Sequence, residues 1–236
     1  MRAAPGVDLG NIIGRTRDLL LDFDGPICSI FAGLPAPVVA ARLRELLGSD
    51  GQPLPDAVAA DDDPIEVFRF TSGLDADTAA RVEAALRDAE RTATATAAPT
   101  SGAREVLLGC QQTGRRVAII SNNSQTAVET YLHVRHLVEY VDVIVGRTEP
   151  DPHLLKPHPH LVLRALDALG GDPARSSFVG DSTSDVLSAK AAGTHSVGYA
   201  DKPGKVERLR GAGADVIVTS MAELHAALVA HQPPSS

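Results

Sequence analysis

Tryptophan is absent from this 236-residue chain, and all aromatic residues together make up only 3 % of it. Its core must therefore be assembled from Ala, Val, Leu and Ile, which a hydrophobic content of 44 % permits. Cysteine is nearly missing as well. Cys28 and Cys110 form neither a disulfide framework nor a metal-ligand spacing, which fits a reducing compartment. No run of Lys and Arg occurs, and the formal net charge is -8. Nucleic acid and anionic membrane are thereby excluded as expected partners, because binding phosphates needs a clustered basic face. No stretch approaches the ~20 apolar residues of a membrane span. Residues 1–17 also lack the apolar centre of a signal peptide. The expectation is a soluble, cytoplasmic monomer or homodimer, built as one large domain or one domain carrying an insert.

What the chain does have is a pair of carboxylates at the end of an apolar run. Residues 17–26 read Arg-Asp-Leu-Leu-Leu-Asp-Phe-Asp-Gly-Pro. Side chains alternate along a strand, so Asp22 and Asp24 would share a face if the strand continued. Gly25 and Pro26 end it there, leaving both acids at its carboxyl end. Ligands of open α/β sheets collect at that edge. Taken alone, the same four residues serve equally well as a polar strand end, so the downstream sequence has to decide.

Residues 1–16 read as a loose leader. From 28 to 98 the pattern turns helical, with Val39, Leu43, Leu46 and Leu47 at helical spacing before Gly48. Residues 64–70 begin another helix, and residues 75–92 form a long one with Ala79, Val82, Leu86 and Ala89 on one face. No β-run interrupts this segment, and the Thr/Ala tract before Pro99 reads as a connector. After it, strands and helices alternate. Helix 101–113, capped by Ser101, precedes strand 116–121; helix 125–134 and strand 141–145 follow. Helix 159–169, strand 177–180, helix 185–192 and strand 195–199 continue the pattern. Residues 205–210 and 215–218 add one more pair, and a capping box of Ser220 and Glu223 opens the last helix. Such alternation predicts an α/β fold, a Rossmann-like doubly wound parallel sheet, interrupted after its first strand by a helical insert. Residues 1–27 and 99–236 would form the core domain and 28–98 the insert.

In a parallel sheet the strand ends all fall on one edge. Strand 116–121 ends at Ser121-Asn122, and strand 177–180 ends at Asp181-Ser182-Thr183-Ser184-Asp185. Lys156 stands between them, just before a helix. Together with Asp22-Phe23-Asp24-Gly25, these segments resemble the four motifs of the haloacid dehalogenase superfamily, in order and across the whole chain. The insert after the first motif resembles the helical cap of its phosphoglycolate phosphatase-like members. One departure is Pro26, where many relatives carry Thr or Val after the glycine.

The resemblance implies a Mg²⁺-dependent phosphatase acting on a small organic phosphate monoester. Asp22 would be the nucleophile, forming an aspartyl-phosphate, and Asp24 the general acid and base. Ser121 and Lys156 would contact the phosphoryl group, with backbone donors from Gly25 and Asn122. Mg²⁺ would be held by Asp22, Asp24 (through its carbonyl), Asp181 and Asp185, reversing the field of the crowded acids. Dehalogenases lack an acid at the position of Asp24, so its presence selects phosphate-ester chemistry. A sugar-phosphate mutase of the β-phosphoglucomutase type shares all four motifs and is the alternative. A catalytically inactive binding or regulatory module predicts decay of a motif, and none is decayed. His153, His158 and His160 suggest zinc, but Pro157 and Pro159 stiffen their segment and no Cys or Glu completes a site. They read as loop polar groups, Asp61-Asp62-Asp63 as a solvated loop, and Arg42, Arg44, Arg69 and Arg87 as solvated helix positions rather than substrate contacts.

Overall fold

The computed structural model describes residues 8–49 and 51–233. A short helix α1 (Leu9–Ile13) leads into strand β1 (Asp18–Asp22). Strand β2 (Cys28–Ser29) is followed by α2 (Ala36–Ser49), α3 (Asp56–Ala59), α4 (Pro64–Phe70) and α5 (Ala76–Ala93), and then by β3 (Ala98–Pro99). The remainder alternates: α6 (Ala103–Gln112), β4 (Arg116–Ser124), α7 (Gln125–Val134), β5 (Val143–Arg147) and α8 (His160–Leu169). Then come β6 (Ser176–Gly180), α9 (Thr183–Ala192), β7 (His195–Tyr199), α10 (Lys205–Ala212), β8 (Val216–Val218) and α11 (Met221–Ala230).

Six of these strands form one parallel sheet in the order β5-β4-β1-β6-β7-β8. Strand β1 holds a central place because it is apolar on both faces. Leu19 and Leu21 pack on the side of α6, α7 and α11, while Leu20 packs against α8 and α9. Each leucine so buried contributes about 1.5–3 kcal/mol. Helices on both faces and strands ending on one edge are the α/β architecture that the alternating pattern predicted. Among the described residues no helix is long and apolar enough to cross a membrane.

Helices α2, α4 and α5 enclose an apolar cluster of their own, with Leu43, Phe68, Val82 and Leu86 at its centre and Leu155 reaching in from the loop after β5. Four local expectations are corrected. The leader contains α1, whose Ile12 and Ile13 are buried in the main core beside Leu224 and Leu228; residues 1–7 of that leader lie outside the described residues. The segment 28–98 is not free of β-structure, because Cys28–Ser29 pairs antiparallel with Ala98–Pro99, tying together its two ends. Helix α6 is capped by Gly102, with φ at 84°, rather than by Ser101. At α11, Ser220 accepts from Glu223 N–H, but the Glu223 carboxylate takes the N–H of Thr219, so half of the expected box forms.

Candidate functional site

The carboxyl ends of β1, β4 and β6 and the loop after β5 converge on the last residue of β1. Asp22 is buried, and its Oδ1 accepts from the Phe23 amide at 2.7 Å and from Lys156 Nζ at 2.8 Å. Lys156, also buried, reaches Asp185 Oδ1 at 2.6 Å. Asn122 holds the Lys156 backbone on both sides, with Oδ1 accepting from its N–H at 2.8 Å and Nδ2 donating to its carbonyl at 3.3 Å. Burial pushes the Asp22 carboxyl well above the usual range, and Asp185 adds to that push, while Lys156 only partly opposes it. Burial alone would lower Lys156, but Asp185 and Asp22 more than reverse it, so the ammonium stays charged.

Asp24, two residues on, has a different setting. It faces the cavity, and its Oδ1 accepts from Ile30 N–H at 3.0 Å. The walls of the cleft strip it of part of its hydration, which pushes its pKa up to about 6 against the opposing pull of the Ile30 amide. Gly25 lets the chain turn between Asp24 and Asp181. Its φ is 101°, and a Cβ there would meet Asp181 Cγ at 2.5 Å. The expected phosphate donor at Gly25 is spent within the turn: its N–H donates to the Cys28 carbonyl at 2.7 Å, and its own carbonyl accepts from Thr100 Oγ1 at 2.5 Å.

The loop after β6 brings the remaining acids. Asp185 closes a capping box at the start of α9, its Oδ2 accepting from Ser182 N–H at 3.0 Å and Ser182 Oγ at 2.6 Å. Asp22, Asp181 and Asp185 each offer a carboxylate oxygen, and these oxygens lie within 4.8 Å of one another. An all-carboxylate donor set fits a hard divalent cation such as Mg²⁺. The side chain of Asp24 is not part of it. At the end of β4, buried Ser121 donates from Oγ to Asn123 Oδ1 at 3.0 Å and accepts from Asn123 N–H at 3.1 Å.

A cavity of about 620 Å³ opens above these groups. Asp22, Asp24, Ser121, Asn122, Lys156 and Asp181 line its floor, and α4 with the residues before it lines its roof. Of the four arginines read as solvated, Arg69 does border the cavity. It binds Glu66 Oε1 at 2.9 Å and the carbonyl of Lys156. Arg87 pairs with Glu83 and Arg44 with the carbonyl of Asp61, and neither arginine lines the cavity. His158 Nδ1 accepts from His160 N–H, and no histidine joins the acid cluster among the described residues.

Three participants were not singled out from the sequence. Lys205 Nζ holds Asp181 Oδ2 and, at 2.6 Å, Asp201 Oδ1. Its only visible signal is the Asp201/Lys205 spacing of four at a helix start. Arg147 and Glu90 are buried and paired at 2.9 Å just behind Ser121. Glu83 and Glu90, seven apart on the apolar face of α5, were the available sign that this face meets a cation.

Comparison with known proteins gives the same frame. A family model described as haloacid dehalogenase-like hydrolase matches residues 61–199. The phosphoglycolate phosphatase of Escherichia coli K12 is 32 % identical over 124 residues, covering 52 % of this chain and 48 % of that protein. A pyrophosphatase of Bacillus pumilus is 38 % identical over 90 residues, covering 38 % of this chain and 41 % of its own. The alignments thus span about half the length of these relatives or less. Among solved structures, a candidate β-phosphoglucomutase from Bacteroides vulgatus superposes with a TM-score of 0.67 at 18 % identity, covering 96 % of this chain and 98 % of its own. That likeness is one of fold.

Proposed function

The chain belongs to the haloacid dehalogenase-like hydrolase family, and from that premise we propose a phosphatase that hydrolyses a small organic phosphate monoester through an aspartyl-phosphate on Asp22. The observation that carries this reading is the unequal setting of two acids on one strand end. Asp22 is fixed by Phe23 N–H and Lys156, whereas Asp24 stands free of that cluster in the cavity with a pKa near 6.

Such a division suits the two tasks of phosphoryl transfer. An Asp22 carboxylate oxygen attacks phosphorus as the bond from phosphorus to the ester oxygen breaks. Asp24, protonated, gives its proton to the departing alkoxide. Ionised by that transfer, Asp24 then takes a proton from water, which attacks the aspartyl-phosphate and releases inorganic phosphate with Asp22 restored. Ser121, its Oγ held by the Asn123 N–H, offers its hydroxyl to a phosphoryl oxygen, and Lys156 balances negative charge on Asp22 and the phosphoryl group. Asp22, Asp181 and Asp185 would hold Mg²⁺, which when bound supplies positive charge against the phosphoryl oxygens. Residues 28–98 act as a cap over the cavity, with the Cys28–Ser29 and Ala98–Pro99 ribbon at its base.

The test is release of phosphate from a panel of metabolite phosphates with and without Mg²⁺, using Asp22→Asn alongside the wild type. The variant should lose several orders of magnitude, because uncatalysed phosphate-monoester hydrolysis is among the slowest of reactions. Turnover near that of the wild type would eliminate the covalent route. A sugar-phosphate mutase would instead depend on a bisphosphate primer and return no net phosphate.

A further inference from the structure

Behind the phosphate-facing end of β4, a buried ionic fork joins β5 to α5 of the insert. The side chains of Arg147, at the end of β5, and Glu90, near the end of α5, are 1 % and 0 % exposed. The contact is two-pronged, with Nη1 to Oε1 at 3.2 Å and Nη2 to Oε2 at 2.9 Å. Arg147 Nε also reaches Glu83 Oε1 at 3.2 Å, and the guanidinium lies 5.3 Å from the centre of the Phe68 ring of α4. Arg87 pairs with the other oxygen of Glu83 at 3.1 Å, so two arginines meet two glutamates.

The same groups grip the strand end. Glu90 Oε1 accepts from Asn123 Nδ2 at 3.1 Å, and Oε2 accepts from Ser124 N–H at 2.8 Å. Arg147 Nη1 donates to the Asn122 carbonyl at 2.5 Å. Between Ile120 and Ser124 the register of β4 against β5 shifts, so the ladder between the two strands is broken over this stretch. Contacts from α5 and Arg147 stand in for it. Asn123 then passes the constraint on, through its bonds to Ser121 Oγ. Apolar packing would seat α5 on the core without desolvating the three buried charges of Arg147, Glu83 and Glu90. What the fork adds is direction, because it fixes which way Asn123 points.

We propose that Glu90 and Arg147 are positioning residues for phosphate binding. With α5 seated, they orient Asn123 and, through it, the Ser121 hydroxyl, so that the phosphate-holding end of β4 is in order only while the insert is docked. This rests on the reading of Ser121 as a phosphoryl contact. Neither residue touches the phosphate itself.

The test is calorimetric binding of inorganic phosphate to the full-length protein with Mg²⁺, with thermal melting measured in parallel, for the wild type, Glu90→Gln, Arg147→Lys and Asn123→Ala. Variants that melt as folded proteins should bind phosphate about 10–100-fold more weakly, the scale found when the support of a binding group is removed. Asn123→Ala leaves the Arg147–Glu90 contact in place and removes the side chain that links Glu90 to the Ser121 hydroxyl, so it decides the matter if the charge variants fail to fold. A wild type that binds phosphate, with a folded Asn123→Ala variant that binds equally well, would overturn the positioning role alone. Failure of the wild type to bind phosphate would overturn the underlying reading of the site together with this one.

Discussion

Lys156 Nζ lies 2.8 Å from Asp22 Oδ1, in a place so enclosed that neither side chain is more than 9 % exposed. The same ammonium reaches Asp185, so one cation serves two buried acids while Asp181 stands close by. Removing it leaves carboxylates without compensation inside the protein, a change that typically costs about 3–5 kcal/mol. Lys156→Met should therefore lower the melting temperature of the metal-free protein by roughly 6–20 °C, given 2–4 °C per kcal/mol for a chain of this size. Mg²⁺ should recover part of that loss, because a divalent cation among the three acids replaces the missing charge. Calorimetric melts with EDTA and with excess Mg²⁺ check both statements. An unchanged melt in EDTA would mean that the pair contributes nothing to the fold.

That contact also marks the limit of what can be read from the chain. The alternation of strands and helices was legible because each buried strand is a continuous apolar run between turn residues, as in Leu19 to Leu21 and residues 117–120. Topology then carried Asp22, Ser121, Lys156 and Asp181 to one edge, since every parallel strand ends there. The expected strand stops at Ser121, where the apolar run gives out; Asn122 to Ser124 remain in β4 since Glu90 and Arg147, distant in sequence, hold them extended. Five-residue α1 is too short for a period of 3.6 to show, and its burial comes from α11 at the other end of the chain. Lys205 was hidden for the same reason: its partner Asp181 is brought to it by the fold alone.

Asp24 gives a pH dependence with a definite sign. Its carboxyl titrates near the ordinary 3.8 in the unfolded chain and is pushed up to about 6 in the folded protein. Across that window the folded state keeps a proton that the unfolded chain has released, so the contribution of Asp24 to stability falls as pH rises from about 4 to 6 and levels off above. Asp24→Asn carries no such proton and can still accept from Ile30 N–H. Urea unfolding in EDTA at pH 4, 5, 6 and 7 should show the variant gaining on the wild type over this range. A stability gap that is flat with pH would contradict the raised value. Hydrolysis by the same variant should fall by about 10²–10⁴-fold, the usual contribution of a positioned general acid.

Gly25 should tolerate no side chain. Its backbone sits at φ 101°, a region costly for any residue with a Cβ, and the new atom would press on Asp181 Cγ from 2.5 Å. Gly25→Ala should destabilise the protein by about 1–3 kcal/mol from backbone strain. Displacing Asp181 should also weaken Mn²⁺ binding, which electron paramagnetic resonance detects directly. Wild-type Mn²⁺ affinity in this variant would show that Asp181 does not depend on the turn.

Cys28 and Cys110 should behave as small core residues, not as reactive thiols. Both are wholly buried. Burial pushes the Cys28 thiol far up, with Asp24 and Asp22 adding to it, and pushes Cys110 up to about 12. The reactive species is the thiolate, and at pH 8 almost none is present at either position. A disulfide reagent such as DTNB should therefore label no thiol in the native protein at pH 8 and both in guanidinium chloride. Rapid labelling of one thiol in the native protein would locate an opening beside it. Reaction at Cys28 would point to the Cys28–Ser29 and Ala98–Pro99 ribbon, and reaction at Cys110 to the packing of α6 against α11.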